Sequence, residues 1–168
     1  MKNERKVTFI LLIIYFVILT WIILFKTQFS VSALPHIRSV NLIPFAESVV
    51  INGKMDFDEI INNCIVFIPI GLYTGMLMSG RPLLKRMLPA LGLSLFYETA
   101  QFVFAIGATD ITDVIANTLG GLTGVLLVSL ISRLLKDKTN KVLNVLAIVC
   151  TLFVVGFLLL ILVMNSSS

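Results

Sequence analysis

Charge is what this chain has least of. Across its 168 residues the charged types make up 13%, against 58% hydrophobic residues and a mean hydropathy of +1.02. A soluble domain of that length has too little interior to hide so much apolar side chain, which leaves the membrane class. Cysteine is scarce as well. Cys64 and Cys150 both sit in apolar runs, and no C-x-x-C or Cys/His spacing occurs, so neither a disulfide framework nor a zinc site is expected. The single histidine, His36, reads as a solvated loop residue, and no nucleophile–base arrangement is visible. Thirteen Lys and Arg stand against nine acids; in a membrane protein that excess reports orientation, and no nucleic-acid partner is read from it.

What the chain does have is long apolar runs. Five segments, 7–25, 60–79, 87–106, 111–132 and 142–164, each approach the ~20 residues that a helix needs to cross hydrocarbon. The expected fold is therefore all-α: a single membrane domain over 1–168, with about five transmembrane helices. "MKNERK" before an apolar run also describes a signal peptide, and "VSA" at 31–33 has the look of a cleavage site. The run is longer than the ~7–15 residues of a signal core, so a retained first helix is expected. With the N-terminus inside, ten basic residues face the cytoplasm: Lys2, Arg5, Lys6, Arg81, Lys85, Arg86, Arg133, Lys136, Lys138 and Lys141. Lys26, Arg38 and Lys54 fall outside, so the bias predicts N-in, C-out.

One long extracytoplasmic connection, 26–59, then joins the first two helices. It holds "NLIPF" (Asn41–Phe45), stiffened by Pro44, and a turn signal at Asn52–Gly53. Leu42, Ile43 and Phe45 are apolar for a loop. Two readings are open: an interfacial loop resting on the headgroups, or a partly inserted one covering the outer end of the bundle.

Polar residues of the second, third and fourth segments reach one depth. At ~1.5 Å per residue, Glu98 lies roughly 12 Å and Gln101 about 7 Å from the outer end of the third helix. The fourth starts near Asp110, which puts Asp113 a few ångströms in and Asn117 about 9 Å in. Asn62 and Asn63 are shallow on the second. Glu98 with Gln101, and Asp113 with Asn117, share helix faces. Blander roles exist for some of them. Asp110 makes a good N-cap with Asp113 at the positive helix end, and Asn63 and Asn117 serve as interhelical glue worth ~0.6–2 kcal/mol. Glu98 resists such an account, since a carboxylate in hydrocarbon costs at least ~2.5–3.5 kcal/mol unless paired, hydrated or protonated. Gly120, Gly121 and Gly124, with Gly71 and Gly75, suit close helix contact, and Pro69 suits a kink in the second helix. "EIINNCI" (Glu59–Ile65) also echoes "DVIANTL" (Asp113–Leu119), as a decayed parallel repeat would.

"NLIPF", "INNCIVFIPIG", "SLFYETAQFVFAIG" and "ATDITDVIANTLGG" resemble, in order and spacing, the motifs of the VanZ family. "TWIILFKTQF" (Thr20–Phe29) adds to a likeness that covers about Thr20 to Gly124. By motif position Asn41, Pro44, Asn63, Pro69, Glu98, Gln101, Asp110, Asp113, Asn117 and Gly120 carry over. Thr112 departs from the pattern, standing where wider members often carry a further acid. The resemblance implies a multi-pass protein of the bacterial cytoplasmic membrane, in a family of which some members accompany glycopeptide-resistance clusters. It implies lowered sensitivity to teicoplanin, a lipid-bearing glycopeptide.

Three functions follow from these residues. The favoured one is a non-enzymatic outer-leaflet pocket for a lipid headgroup, a cell-wall lipid precursor or the lipid-anchored antibiotic, with membrane lipids as partners and no cofactor. The second is an enzyme modifying a lipid or lipid-linked carrier, with a divalent cation on Asp110, Asp113 and Glu98. The third is a transporter subunit in which Glu98 carries a proton, a path that five helices would wall only as an oligomer.

Overall fold

Uninterrupted apolar runs wind into helices because hydrocarbon leaves the backbone no outside partner. The computed structural model describes residues 2–24, 37–45, 50–51, 54–55 and 57–166. Among them the helices are α1 (Lys2–Leu24), α2 (Asp58–Leu77), α3 (Leu83–Phe104), α4 (Ile111–Leu135) and α5 (Thr139–Ser166). A single 3-10 turn, Lys136–Lys138, joins α4 to α5. All five helices overlap the apolar segments read from the sequence, but α1 starts five residues before Val7, because hydrogen bonding along a helix does not stop where hydrocarbon ends. Among the described residues, three stretches are long and apolar enough to cross a membrane: Asn3–Leu24, Asp58–Leu77, and Ile111–Phe157, which runs through α4 into α5. The helix α3 is not among them; it carries Lys85 and Arg86 in its first turns and Glu98 further on.

Short strands complete the fold. The connection after α1 contributes β1 (Ile37–Asn41), β2 (Val50–Ile51) and β3 (Lys54–Met55), and β4 (Ile106–Asp110) links α3 to α4. The helix α3 stops at Ala105, whose left-handed backbone (φ 54°) turns the chain out while its N–H still reaches the carbonyls of Gln101 and Phe102. The strands β1 and β4 then pair in parallel from Ile37↔Ile106 to Asn41↔Asp110. This ladder is a departure from the all-α expectation. It gives the backbone between α3 and α4 the partners that a membrane end withholds. The turn expected at Asn52–Gly53 lies outside the described residues, as do His36, Lys26 and the "VSA" stretch; β2 and β3 on either side of 52–53 pair antiparallel.

α2 and α4 pack side by side. A Cβ on Gly120 would run into the Cys64 carbonyl oxygen, one on Gly124 into that of Ile68, and one on Gly71 into that of Gly121. Because Cys64 meets Gly120 and Ile68 meets Gly124, the two helices run parallel. Gly121 faces Ala90 of α3, where a Cβ would strike the alanine Cβ. The core beside this seam holds Leu19, Phe67, Ile70, Ala90, Tyr97 and Ala100. Tyr97 stands edge-on to Phe67 at 6.4 Å and shares a hydrogen bond of 2.9 Å with Thr20 on α1.

Three polar contacts gather one end of the bundle. Arg5 Nη2 donates to the Leu77 carbonyl (2.9 Å), Arg86 Nη2 to Ser129 Oγ (3.0 Å), and Asn144 Nδ2 to the Glu4 carbonyl (3.0 Å). The starts of α1, α3 and α5 therefore meet the ends of α2 and α4. The β1–β4 ladder and the start of α2 lie at the opposite end.

Gly124→Val is expected to destabilise the protein by about 3 kcal/mol, since overpacking here meets backbone rather than a yielding side chain. Thermal unfolding of purified protein and its abundance in membranes measure this. Gly92→Ala, whose Cβ would have no atom within 4 Å, should match wild type in both.

Candidate functional site

Asp110 occupies a corner where three directions of chain meet. It ends β4 and caps α4, its Oδ1 accepting from Thr112 N at 2.7 Å. Its Oδ2 accepts from Asn41 Nδ2 at 3.0 Å, and its own N–H donates to Glu98 Oε2 at 2.9 Å. Thr109 Oγ1 adds a bond to the Glu98 carbonyl (3.1 Å). Glu98 is only 5% exposed, and its Oε2 is met by a backbone donor in place of water.

The same corner holds the "NLIPF" stretch. Asn41 Oδ1 accepts from Ile43 N (3.1 Å), and Thr112 Oγ1 accepts from Phe45 N (3.0 Å). Buried Asn41 is thus tied to α4 at its base. Leu42, Ile43, Pro44 and Phe45 stay exposed, with Leu42 at 71%.

Behind Asp110 lies a cavity of about 370 Å³. Glu98 and Gln101 from α3, Asp113 and Asn117 from α4, Asn63 from α2, and Asp110 itself all line it. Glu59 and Asn62 complete the polar lining, and Ile22, Ile23, Val66 and Ala108 contribute apolar side chains. Asn63 Nδ2 donates to Asp113 Oδ1 at 2.7 Å, joining α2 to α4. Asn117 Nδ2 donates to Ser94 Oγ at 2.9 Å, and Gln101 Nε2 reaches the Ile23 carbonyl at 3.4 Å. Two acceptors remain: Asn117 Oδ1 and Gln101 Oε1 are buried without a partner among the described residues. Leaving such an atom unmet costs about 1–3 kcal/mol.

All six residues expected in a polar pocket are therefore brought together. Those assigned to loop and packing are not in its wall. Asn41 acts through Asp110, Pro44 sits on the exposed bend, and Gly120 and Gly124 set the α2–α4 distance beneath it. Pro69 lines a separate apolar crevice of about 240 Å³ between α1, α2 and α5, with Tyr15 and Cys150. Among the described residues no three His, Cys, Asp or Glu side chains converge as metal ligands, and both oxygens of Asp110 already accept a bond. Sequence reasoning missed Ser94, although it stands four residues before Glu98 and so on its face. It treated Thr112 only as a missing acid, whereas the hydroxyl holds the Phe45 amide.

A helical membrane protein with an acid-and-amide chamber at one end of its bundle is the class that these features define. Residues 12–135 match the family model VanZ/LLP1. Protein VanZ of Enterococcus faecium is 40% identical over 156 residues, which are 92% of this chain and 88% of that one. The chain belongs to the VanZ/LLP1 family. No solved structure matches it.

Replacing Thr112 by Val removes the hydroxyl that accepts from Phe45. Loss of a bond worth about 1 kcal/mol should raise hydrogen exchange at the Phe45 amide roughly fivefold, with Thr112→Ser keeping the wild-type rate.

Proposed function

We propose that this chain lowers sensitivity to teicoplanin as a non-enzymatic protein of the bacterial cytoplasmic membrane. It crosses five times with its N-terminus inside, and its polar cavity faces the outer leaflet. There it holds a lipid headgroup, a cell-wall lipid precursor or the lipid-anchored antibiotic. The observation that carries this reading is the cavity itself: eight acid and amide side chains from three helices and a strand end line it. Intramembrane acids that converge on a hollow, rather than on each other, mark binding sites by default. The count of ten basic residues against three supports the orientation, because segments carrying them meet at the end of the bundle opposite the cavity. Membership of the family supports the resistance role. The enzyme and transporter readings use the same acids, and no further feature of the described residues favours them.

The test uses Glu98→Gln, Asp113→Asn and Asn117→Ala, each at wild-type abundance in the membrane of a susceptible host. Each should reduce protection against teicoplanin by about fourfold or more, the loss of one interaction near 1 kcal/mol, and leave vancomycin sensitivity unchanged. Full protection by all three variants contradicts the assignment of function to this cavity.

A further inference from the structure

We propose that a groove between the start of α1 and the end of α2 binds an anionic glycerophospholipid, at the end of the bundle opposite the polar cavity. The groove is separate from that cavity and does not depend on the function assigned to it. Arg5, Lys6, Phe9, Ile10 and Leu77 line it, around an open space of about 470 Å³. Four of the five share one face of α1, where positions four apart stack: Arg5 above Phe9, and Lys6 above Ile10. Two basic side chains thus stand one turn, about 6 Å along the axis, from two apolar ones. A phospholipid has the same order, a charged head followed at once by hydrocarbon.

The basic pair sets the charge of that head. Arg5 Nη2 donates to the Leu77 carbonyl at 2.9 Å, an oxygen that the end of α2 leaves without an intrahelical partner. The bond fixes the guanidinium at the mouth of the groove and uses one of its five N–H donors. Glu4, the adjacent acid, is engaged elsewhere: its Oε2 accepts from Asn144 Nδ2 on α5 at 3.1 Å. A phosphate meets the geometry that guanidinium and ammonium groups recognise. A zwitterionic head would carry its own ammonium toward the same two cations, which favours a head with net negative charge.

The chain attached to the head is the other half of the fit. Phe9 and Ile10 are 54% and 56% exposed, on a helix apolar enough to cross a membrane, so acyl chains are what they meet there. A free phosphate compound would leave them uncovered. Basic residues at a membrane end also serve orientation alone, reaching up to whatever headgroups pass. Arg5 and Lys6 differ in having a wall beside them: Leu77 closes a groove, and Arg5 is bonded to its carbonyl. Basic pockets between membrane helices are the ordinary seat of anionic headgroups. Lys138 and Lys141, exposed at the same end of the bundle, are not in this lining and serve as the control.

The experiment takes the purified full chain and measures retained lipid by native mass spectrometry. Phosphatidylglycerol, phosphatidylethanolamine and phosphatidylcholine are offered with identical acyl chains, so the first comparison changes no residue and is free of folding effects. Phosphatidylglycerol should be retained about tenfold more than either zwitterionic lipid. Lys6→Gln, which leaves the Arg5–Leu77 bond in place, should cut that preference to about twofold. Lys138→Gln/Lys141→Gln removes two charges from the same end of the bundle and should keep the preference whole. Equal retention of the three lipids overturns the proposal. A preference lowered as much by the Lys138 and Lys141 changes as by Lys6→Gln overturns it too, since the cause is then a diffuse surface potential. Millimolar glycerol phosphate should leave the lipid in place; displacement by it contradicts the part given to Phe9 and Ile10 and with it the assignment to a lipid.

Discussion

At Gly120 and Gly124 the backbone of α4 rests directly against the carbonyl oxygens of Cys64 and Ile68 on α2, with no side chain between them. Lipid offers helices no hydrophobic reason to associate, so approach of this kind is what draws them together. The two helices run in the same direction, and the contact therefore fixes what stands above it. Asn63 directly precedes Cys64, Asn117 stands three residues before Gly120, and Asp113 a turn before that. At this spacing Asn63 comes within 2.7 Å of Asp113, and both face the hollow beside α3.

Glu98 and Asp110 close the other side. Each carboxyl group has its own donors: the Asp110 N–H serves Glu98, and the Thr112 N–H and the Asn41 amide serve Asp110. The parallel β1–β4 ladder holds Asn41 opposite Asp110, so a connection from before α2 becomes part of the same corner. With these bonds made, Gln101 Oε1 and Asn117 Oδ1 stay buried without a partner among the described residues, at a cost in stability to the protein.

Much of this was legible in the sequence, for definite reasons. Uninterrupted runs such as "VTFILLIIYFVILTWIILF" leave only a helix as an answer. A fixed rise per residue turns position into depth, which is why the sequence alone groups Asn63, Glu98, Gln101, Asp113 and Asn117 at one level. Glycines spaced four apart indicated a close seam, and α2 and α4 lie parallel as the "EIINNCI"/"DVIANTL" echo suggests. The strand pair was not legible. "IRSVN" and "IGATD" are five residues each, too short for alternation to stand out, and they pair across 69 positions. Nor could the sequence say which amide oxygens would be left over, because that depends on which partner each nitrogen finds. Ser94 and the Ile23 carbonyl decide it for Asn117 and Gln101.

The account turns on the side of the membrane that the chamber faces. Asn62 is exposed at its rim, on the first turns of α2. In a background where Cys64 and Cys150 are replaced by Ser, Asn62→Cys should react with a membrane-impermeant thiol reagent in intact cells. Reaction only in inverted vesicles, with none in intact cells, would place the chamber on the cytoplasmic side and contradict it.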